Sequence, residues 1–206
     1  MQHYIAHTLM HDLKLVGTFV EFGCADGATN SNTYPFEQLG WTGLCVEPNT
    51  PAFAKASKVR KHAINALITS TAANFTYAEM IGDCAQTSGI VEFFSPEYHQ
   101  IMNSCRRRGL LRSLTVLPGV PLELLLEQHG IASVTWISID CEGCEGDFIG
   151  SFNFTRYDVQ IVNYEPNTAA RRNETTILAA LHQHGFREVK QGGLVDRLFT
   201  RHSAWR

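Results

Sequence analysis

A three-layer α/β sandwich, with a mostly parallel sheet of about seven strands and helices on both faces, is predicted by three observations. Short apolar strands alternate with helix-length segments along most of the chain, the pattern of parallel pairing with right-handed crossovers. The first strand, Thr18–Phe22, runs directly into a glycine turn and then a group of helix-capping residues. Two later strands end in acidic residues, where strands of an open parallel sheet face a ligand crevice.

Taken in order, Gln2–Leu15 is expected to be a short helix, with Ile5, Leu9, Leu13 and Val16 at near-helical spacing and Gly17 ending it. Phe19, Val20 and Phe22 make Thr18–Phe22 a core strand between Gly17 and Gly23. A helix at about Asn32–Leu39 follows, then strand two at Gly43–Glu47. Pro51 suits a helix N-terminus and opens a helix over Pro51–Lys58, with His62–Leu67 as strand three. Thr69–Arg112 breaks the rhythm, being rich in Thr, Ser, Ala, Asn and Gly with one clear strand at Gly89–Phe94. A long irregular connection in a compact domain is usually functional or mobile. Residues 69–113 are therefore the candidate lid or insertion, with Tyr98, His99 and the arginines as substrate contacts, set against a surface excursion that touches nothing.

Leu114–Leu117 reads as a strand and Pro121–Gly130 as a helix running from proline to glycine. Val134–Asp140 is an apolar central strand that delivers Asp140 and Glu142, and Asp147–Ser151 continues into a helix. Asp158–Glu165 is another strand, delivering Glu165. Glu174–Gln183 is a helix, and Phe186–Val189 and Leu194–Thr200 are the last two strands, a hairpin around Gly192-Gly193.

The chain's 206 residues are 44% hydrophobic and 18% charged, ordinary usage for a soluble protein, and residues 1–206 are expected to form a single domain. A net charge of -3 gives no basic footprint for nucleic acid, and Arg106-Arg107-Arg108 reads as a solvated face. No apolar run approaches the ~20 residues needed to cross a bilayer. Met1–Asp12 is too polar for a signal-peptide core, so a cytoplasmic protein is expected. Oligomeric state is not legible.

The glycine turn is where chemistry enters. Gly23 and Gly27 let the backbone turn sharply and approach a ligand, and Ser31, Asn32 and Thr33 are capping residues that leave helix N–H groups facing the turn. The dinucleotide fingerprint G-x-G-x-x-G admits a pyrophosphate at such a place. Here the pattern is Glu21-x-Gly23-x-x-x-Gly27, and Asp26 would repel a pyrophosphate while suiting a ligand with an ammonium, a ribose and a sulfonium. S-adenosylmethionine fits that description, which leaves an NAD-dependent oxidoreductase as the runner-up. Glu47 ends strand two, 20 residues after Gly27, where an acid can accept two hydrogen bonds from ribose hydroxyls. The candidate cofactor-binding residues are Glu21, Gly23, Asp26, Gly27, Asn32, Glu47, Asn49 and Asp140.

Methyl transfer from a sulfonium is an in-line displacement, and a hydroxyl acceptor must also lose a proton. Asp140, Glu165 and Glu142 are the candidate catalytic carboxylates. Asp140 is favoured as base or acceptor-orienting residue, with Glu165 second. Glu142 has a structural alternative, holding loop backbone N–H groups. Three acids in reach of one another also suit magnesium, but the spacing demands no metal and none is expected.

The run Phe19-Val20-Glu21-x-Gly23-x-x-Asp26-Gly27, with Ser31-Asn32-Thr33, Leu39-Gly40-Trp41-x-Gly43 and Glu47-Pro48-Asn49, resembles the FkbM family of S-adenosylmethionine-dependent methyltransferases. Ile137-Ser138-Ile139-Asp140-Cys141-Glu142-Gly143-x-Glu145 is similar to that family's Asp-x-Glu-Gly stretch. The resemblance implies a Rossmann-like class I methyltransferase fold with strand order 3-2-1-4-5-7-6 and the last strand antiparallel. It further implies O-methylation, with sugar and small natural-product hydroxyls as acceptors. Cys24, Cys141 and Cys144 depart from the residues usual in the family. A non-catalytic domain that keeps the fold and binds S-adenosylmethionine is the alternative of a different class.

Of the six cysteines, Cys24, Cys45, Cys141 and Cys144 sit on or beside core strands and are expected to act as small hydrophobes. Cys84 and Cys105 are candidates to pair in an oxidising compartment. The C-x-x-C at Cys141 and Cys144 lacks the second pair a zinc site wants. Asn-x-Thr sequences at Asn74, Asn153 and Asn173 are compatible with secretion but recur by chance.

Overall fold

A computed structural model describes residues 16–167, 173–189 and 196–201. The expected Gln2–Leu15 helix and the Gly192-Gly193 turn lie outside the described residues. Along the chain the elements are β1 (Thr18–Phe22), α1 (Tyr34–Gln38), β2 (Thr42–Val46), α2 (Thr50–Val59), β3 (Ala63–Ile64), β4 (Leu67–Ile68), β5 (Asn74–Met80), β6 (Gly89–Ile90), α3 (Pro96–Arg107), β7 (Leu111–Val120), α4 (Leu122–Gln128), β8 (Trp136–Ile139), α5 (Glu145–Ser151), β9 (Ile161–Tyr164), α6 (Glu174–Gln183), β10 (Arg187–Glu188) and β11 (Arg197–Thr200).

The main sheet has seven strands in the order β10-β11-β9-β8-β1-β2-β3. Numbered within this sheet and read from its other edge, the order is 3-2-1-4-5-7-6. β1 pairs in parallel with β2 and β8, while β11 runs antiparallel to β9 and β10. Both faces are covered, as strand alternation requires. Val20 and Phe22 of β1 point to one face, where they join Leu126 of α4, Phe148 of α5 and Ile177 of α6 in the largest core cluster. Phe19 and Glu21 point to the other. There Phe36 of α1 stacks edge-on against Trp136 of β8 and Trp41.

The stretch from Thr69 to Arg112 is not the irregular connection expected from composition. It folds into most of a second, four-stranded sheet of order β4-β7-β5-β6, backed by α3. Asn74–Met80 is a full strand pairing antiparallel with β7 over its whole length. Gly89–Phe94 keeps only two strand residues before a 3-10 turn over Val91–Phe93. The expected third strand divides at Asn65, whose Nδ2 donates to the Glu47 and Pro48 carbonyls, so that β3 stays in the main sheet and β4 joins the second. Ser95 caps α3 by accepting the Tyr98 N–H, with Pro96 in the first turn.

All six cysteines are paired: Cys24–Cys45, Cys84–Cys105 and Cys141–Cys144. This corrects the expectation that Cys24, Cys45, Cys141 and Cys144 act as unpaired hydrophobes. Parallel register puts Cys45 beside Glu21, so the turn after β1 brings Cys24 against it. The tight loop after β8 folds Cys144 back onto Cys141.

One buried ionic network fixes the turn after β1. Glu21 accepts from the Asn32 N–H (2.7 Å), Ser31 Oγ (2.6 Å) and Thr33 Oγ1 (2.6 Å). Arg60, which caps the end of α2, donates to Glu21, Ser31, Thr33, Glu37 and the Gly27 carbonyl. Both the Arg60 and Glu21 side chains are buried. Removing one partner of such a set strands the rest without water. Arg60→Ala is therefore expected to lower the unfolding free energy by about 3–5 kcal/mol, read from a urea titration. A loss under about 1 kcal/mol, the size of an exposed ion pair, would show that the network does not carry the turn.

Candidate active site

A cavity of about 610 Å³ opens where the C-terminal ends of β1, β2, β8 and β9 meet the second sheet. That volume is in the usual range for small-molecule sites. Gly23 sits at its floor with φ +80°, and a Cβ there would lie 1.6 Å from the Asp140 carbonyl oxygen, so only glycine allows β1 and β8 to approach this closely. The polar wall carries Asn32, Glu47, Asn49, Asp140, Glu142 and Glu165. The opposite wall is apolar, with Leu67, Ile68, Tyr77 and Ile90 contributed from β4, β5 and β6.

Three of the proposed cofactor-binding residues do not line this cavity. Glu21 is turned into the Arg60 network. Asp26 caps its own turn, its Oδ1 accepting from the Ala28 and Thr29 N–H groups. Gly27, at φ +83°, packs against α2, where a Cβ would meet Ala56 and Arg60. These residues shape the turn whose rim, Gly23 to Asn32, forms the wall.

Glu47 is buried, and its two oxygens accept from the Ala25 N–H (2.7 Å) and the Asn49 N–H (2.8 Å). Burial pushes its carboxyl up to about 7, against the pull of those two N–H groups. Asn49 is committed to the scaffold: Oδ1 caps α2 through the Ala52 N–H, and Nδ2 donates to the Met80 carbonyl and Ser88 Oγ, tying β2 to the second sheet. Asn32 donates from Nδ2 to Ser138 Oγ (3.1 Å) and Asp196 Oδ2 (3.0 Å).

At the ends of β8 and β9, oxygens of Asp140, Glu142 and Glu165 all lie within 4.8 Å of one another. Burial, then the neighbouring charges of Glu142, Glu165, Glu145 and Asp196, hold Asp140 well above the usual carboxylate range. Burial raises Glu165 as well, with Asp196 adding to it. Glu142 rises to about 8 through burial, although a hydrogen bond from the Tyr98 hydroxyl pulls it down. Glu142 has φ +56°, a left-handed conformation costing about 1–2 kcal/mol for a residue with a Cβ. That turn aims its carboxylate at Tyr98 and the cavity. The group can neutralise its charge by keeping protons or by sharing a hard divalent cation, which takes oxygen ligands.

The job of holding loop N–H groups, one of two expected for Glu142, falls to Glu145. Its buried carboxylate accepts from the Cys141 N–H (3.2 Å), the Gly143 N–H (3.0 Å) and Asn167 Nδ2 (2.9 Å). Asp196 was not foreseen at all. It lines the cavity just before β11, with Asn32 and Asn163 donating to it. Its only sequence signal is an acid beside a short apolar strand. Of the expected lid contacts, Tyr98 reaches Glu142, while His99 packs on Phe94. Arg108 pairs with Asp83, and none of the three arginines lines the cavity.

The model of the FkbM methyltransferase domain matches residues 21–188. No match was found among curated proteins. Similar solved structures include a METTL16 methyltransferase domain, at TM-score 0.46 and 11% identity, over 98% of this chain and 66% of that one. Another is the N-terminal domain of human METTL16 in complex with SAH, at TM-score 0.41 and 12% identity, over 98% of this chain and 68% of that one. This chain thus spans just under two thirds of the first structure's length. The family match spans most of the chain and includes Gly23, Glu47, Asp140 and Glu165 of the cavity, and on that ground the chain belongs to the FkbM family of S-adenosylmethionine-dependent methyltransferases.

Proposed function

We propose that this chain forms a single domain that moves the methyl group of S-adenosylmethionine to a hydroxyl oxygen of a sugar or small natural product, with Asp140 as the general base. The observation that carries this is the convergence of Asp140, Glu142 and Glu165 at the strand ends, across one cavity from Glu47.

The cavity suits the cofactor in its donor chemistry. Glu47 has lone pairs left on both oxygens for ribose hydroxyls. Gly23 allows close approach to the backbone, Asn32 borders the same rim, and Leu67, Ile68, Tyr77 and Ile90 offer an apolar slot for a purine. When bound, S-adenosylmethionine supplies an electrophilic methyl group on a cationic sulfur. Beside that cation Asp140, Glu142 and Glu165 favour their ionised forms, which offsets the burial that otherwise keeps them protonated and readies Asp140 as a base. Asp140 accepts the proton of the acceptor hydroxyl as the oxygen attacks in line. Glu165 and Tyr98-bound Glu142 orient the acceptor.

Among the described residues, none lining the cavity is Lys, Arg or His. A neutral polyhydroxyl acceptor meets hydrogen-bond acceptors there, whereas a phosphate or sulfate would meet repulsion. The second sheet, with the 3-10 turn that carries Ala85 and Gln86, serves as the covering wall.

Titration calorimetry and turnover separate the roles. Glu47→Ala is expected to weaken S-adenosylmethionine binding by about 10–100-fold, the worth of charge-assisted hydrogen bonds. Asp140→Asn is expected to leave that affinity within a few-fold and lower kcat by about 10²–10⁴. Equal losses of both properties in both variants, with folding intact, would overturn the division. Binding of NAD alone would restore the oxidoreductase alternative.

The raised carboxyls also predict stability. Glu47, Glu142 and Glu145 rise from 4.5 to about 7, 8 and 7, so the ligand-free fold retains protons that the unfolded chain has released. Their contribution is complete below about 4.5 and is lost as pH rises through about 7 to 8. Thermal unfolding of the ligand-free protein should therefore show Tm falling between about pH 5 and pH 8 and levelling off above, with a shallower fall in Glu142→Gln. A Tm that climbs over that interval, or an unchanged slope in the variant, would contradict the assignment. If the carboxylates act directly, turnover survives EDTA; loss that Mg²⁺ restores would make them metal ligands instead.

A further inference from the structure

Two features are not absorbed by methyl transfer: the complete pairing of the cysteines and the exposed Asn-x-Thr sequences. We propose that this chain matures in an oxidising secretory lumen and carries N-linked glycans at Asn74 and Asn153. The inference does not depend on the identity of the methyl acceptor.

Three disulfides use every cysteine of the chain, in three separate places: the turn after β1, the second sheet's covering segment, and the loop after β8. Compartments buffered by glutathione keep thiols reduced, and structural disulfides persist where the surroundings oxidise. The pairing therefore runs against the cytoplasmic location expected from the sequence, and it makes the Asn-x-Thr sequences chemically meaningful.

Asn74 opens β5 and Asn153 lies in the turn after α5, both exposed. In each the middle residue is a phenylalanine directed toward the core, Phe75 packing on Phe93 and Phe154 fully buried. In the strand, positions i and i+2 share a face, so Asn74 and Thr76 stand together on one side. Asn153 holds its Oδ1 toward the Arg156 N–H (3.0 Å), which orients the side chain within its turn. Asn173 differs: its side chain packs onto α5, so close that a Cβ on Gly146 would lie 3.1 Å from its Nδ2. A glycan there would break that packing.

Both proposed sites stand clear of the cavity. Asn74 is at the far end of β5 from Met80, whose carbonyl meets Asn49, a span of about 20 Å at ~3.3 Å per residue. Asn153 follows α5 and opens the turn whose Tyr157 carbonyl meets the Val134 N–H ahead of β8, at the strand end away from the cavity. In the modification the Asn Nδ2 forms a bond to the anomeric carbon of an N-acetylglucosamine, the lipid-linked diphosphate leaves with the electrons of the broken C–O bond, and the amide gives up one proton. The donor is a lipid diphosphate oligosaccharide.

The test uses full-length protein purified from its own cells. Alkylation followed by mass measurement is expected to label no cysteine before reduction and all six after it. Peptide N-glycosidase is expected to shift the mass and leave aspartate at positions 74 and 153. N74Q and T155A, which leaves Asn153 in place, should each remove one glycan, and N173Q none. Thiols that alkylate without reduction, or unmodified Asn74 and Asn153 in the purified protein, overturn the proposal.

Discussion

The buried guanidinium of Arg60 is the constraint on which the cofactor side of the molecule depends. Among the described residues it is the single cation bonded to Glu21, Glu37, Ser31, Thr33 and the Gly27 carbonyl, and it also lies over the Phe19 ring at 5.1 Å. Those partners come from β1, the turn and α1, and Arg60 itself ends α2. A planar donor fork can satisfy that many acceptors at once where an ammonium would leave several bare. Without it, the turn from Gly23 to Thr33 would have two buried carboxylates and no reason to hold one shape.

The contrast with the opposite side of the cavity separates scaffold from chemistry. Glu21 and Glu37 are buried next to a cation. Asp140, Glu142, Glu165 and Asp196 crowd together with, among the described residues, no Arg or Lys lining the same cavity. A fold gains nothing from uncompensated buried charge, so an accumulation of it beside a cavity points to a ligand that supplies the missing positive charge or takes the protons. Glu145 adds to that crowding but is itself held by donation from the loop's N–H groups, and Asp196 is held by donation from Asn32 and Asn163.

The main sheet was legible in outline because its strands are short apolar runs between glycines and its helices carry proline and glycine at their ends. Val134–Asp140 announced β8, and Glu174–Gln183 matched α6 to the residue. The second sheet was not legible. β5 is Asn-Phe-Thr-Tyr-Ala-Glu-Met, with no clean apolar alternation, since the strand is covered on both faces only toward its end. α3 did carry a signal, Ser95-Pro96-Glu97, which composition alone obscured. In the site, Gly23, Glu47 and Asp140 were readable because backbone geometry and strand-end position reveal them. Asp196 and Arg60 were not, since each acquires its role only from long-range packing that no local pattern encodes. Glu21 illustrates the converse: the motif marked it as a cofactor contact, but its carboxylate holds the turn's backbone and hydroxyls and does not line the cavity.

The cysteines connect these observations. Cys24–Cys45 ties the glycine turn to β2 next to Glu47, and Cys141–Cys144 closes the loop that carries Glu142 in its left-handed conformation. Cys84–Cys105 joins the 3-10 turn beneath the cavity wall to α3, which bears Tyr98. Each bond therefore restrains a segment that is irregular and bears a cavity residue, where backbone hydrogen bonding is sparse and local opening is cheapest. The regular sheet needs no such help. A covalent link at each of these three places holds its own stretch of cavity wall in one shape, which is what in-line transfer asks of a site that must align two substrates.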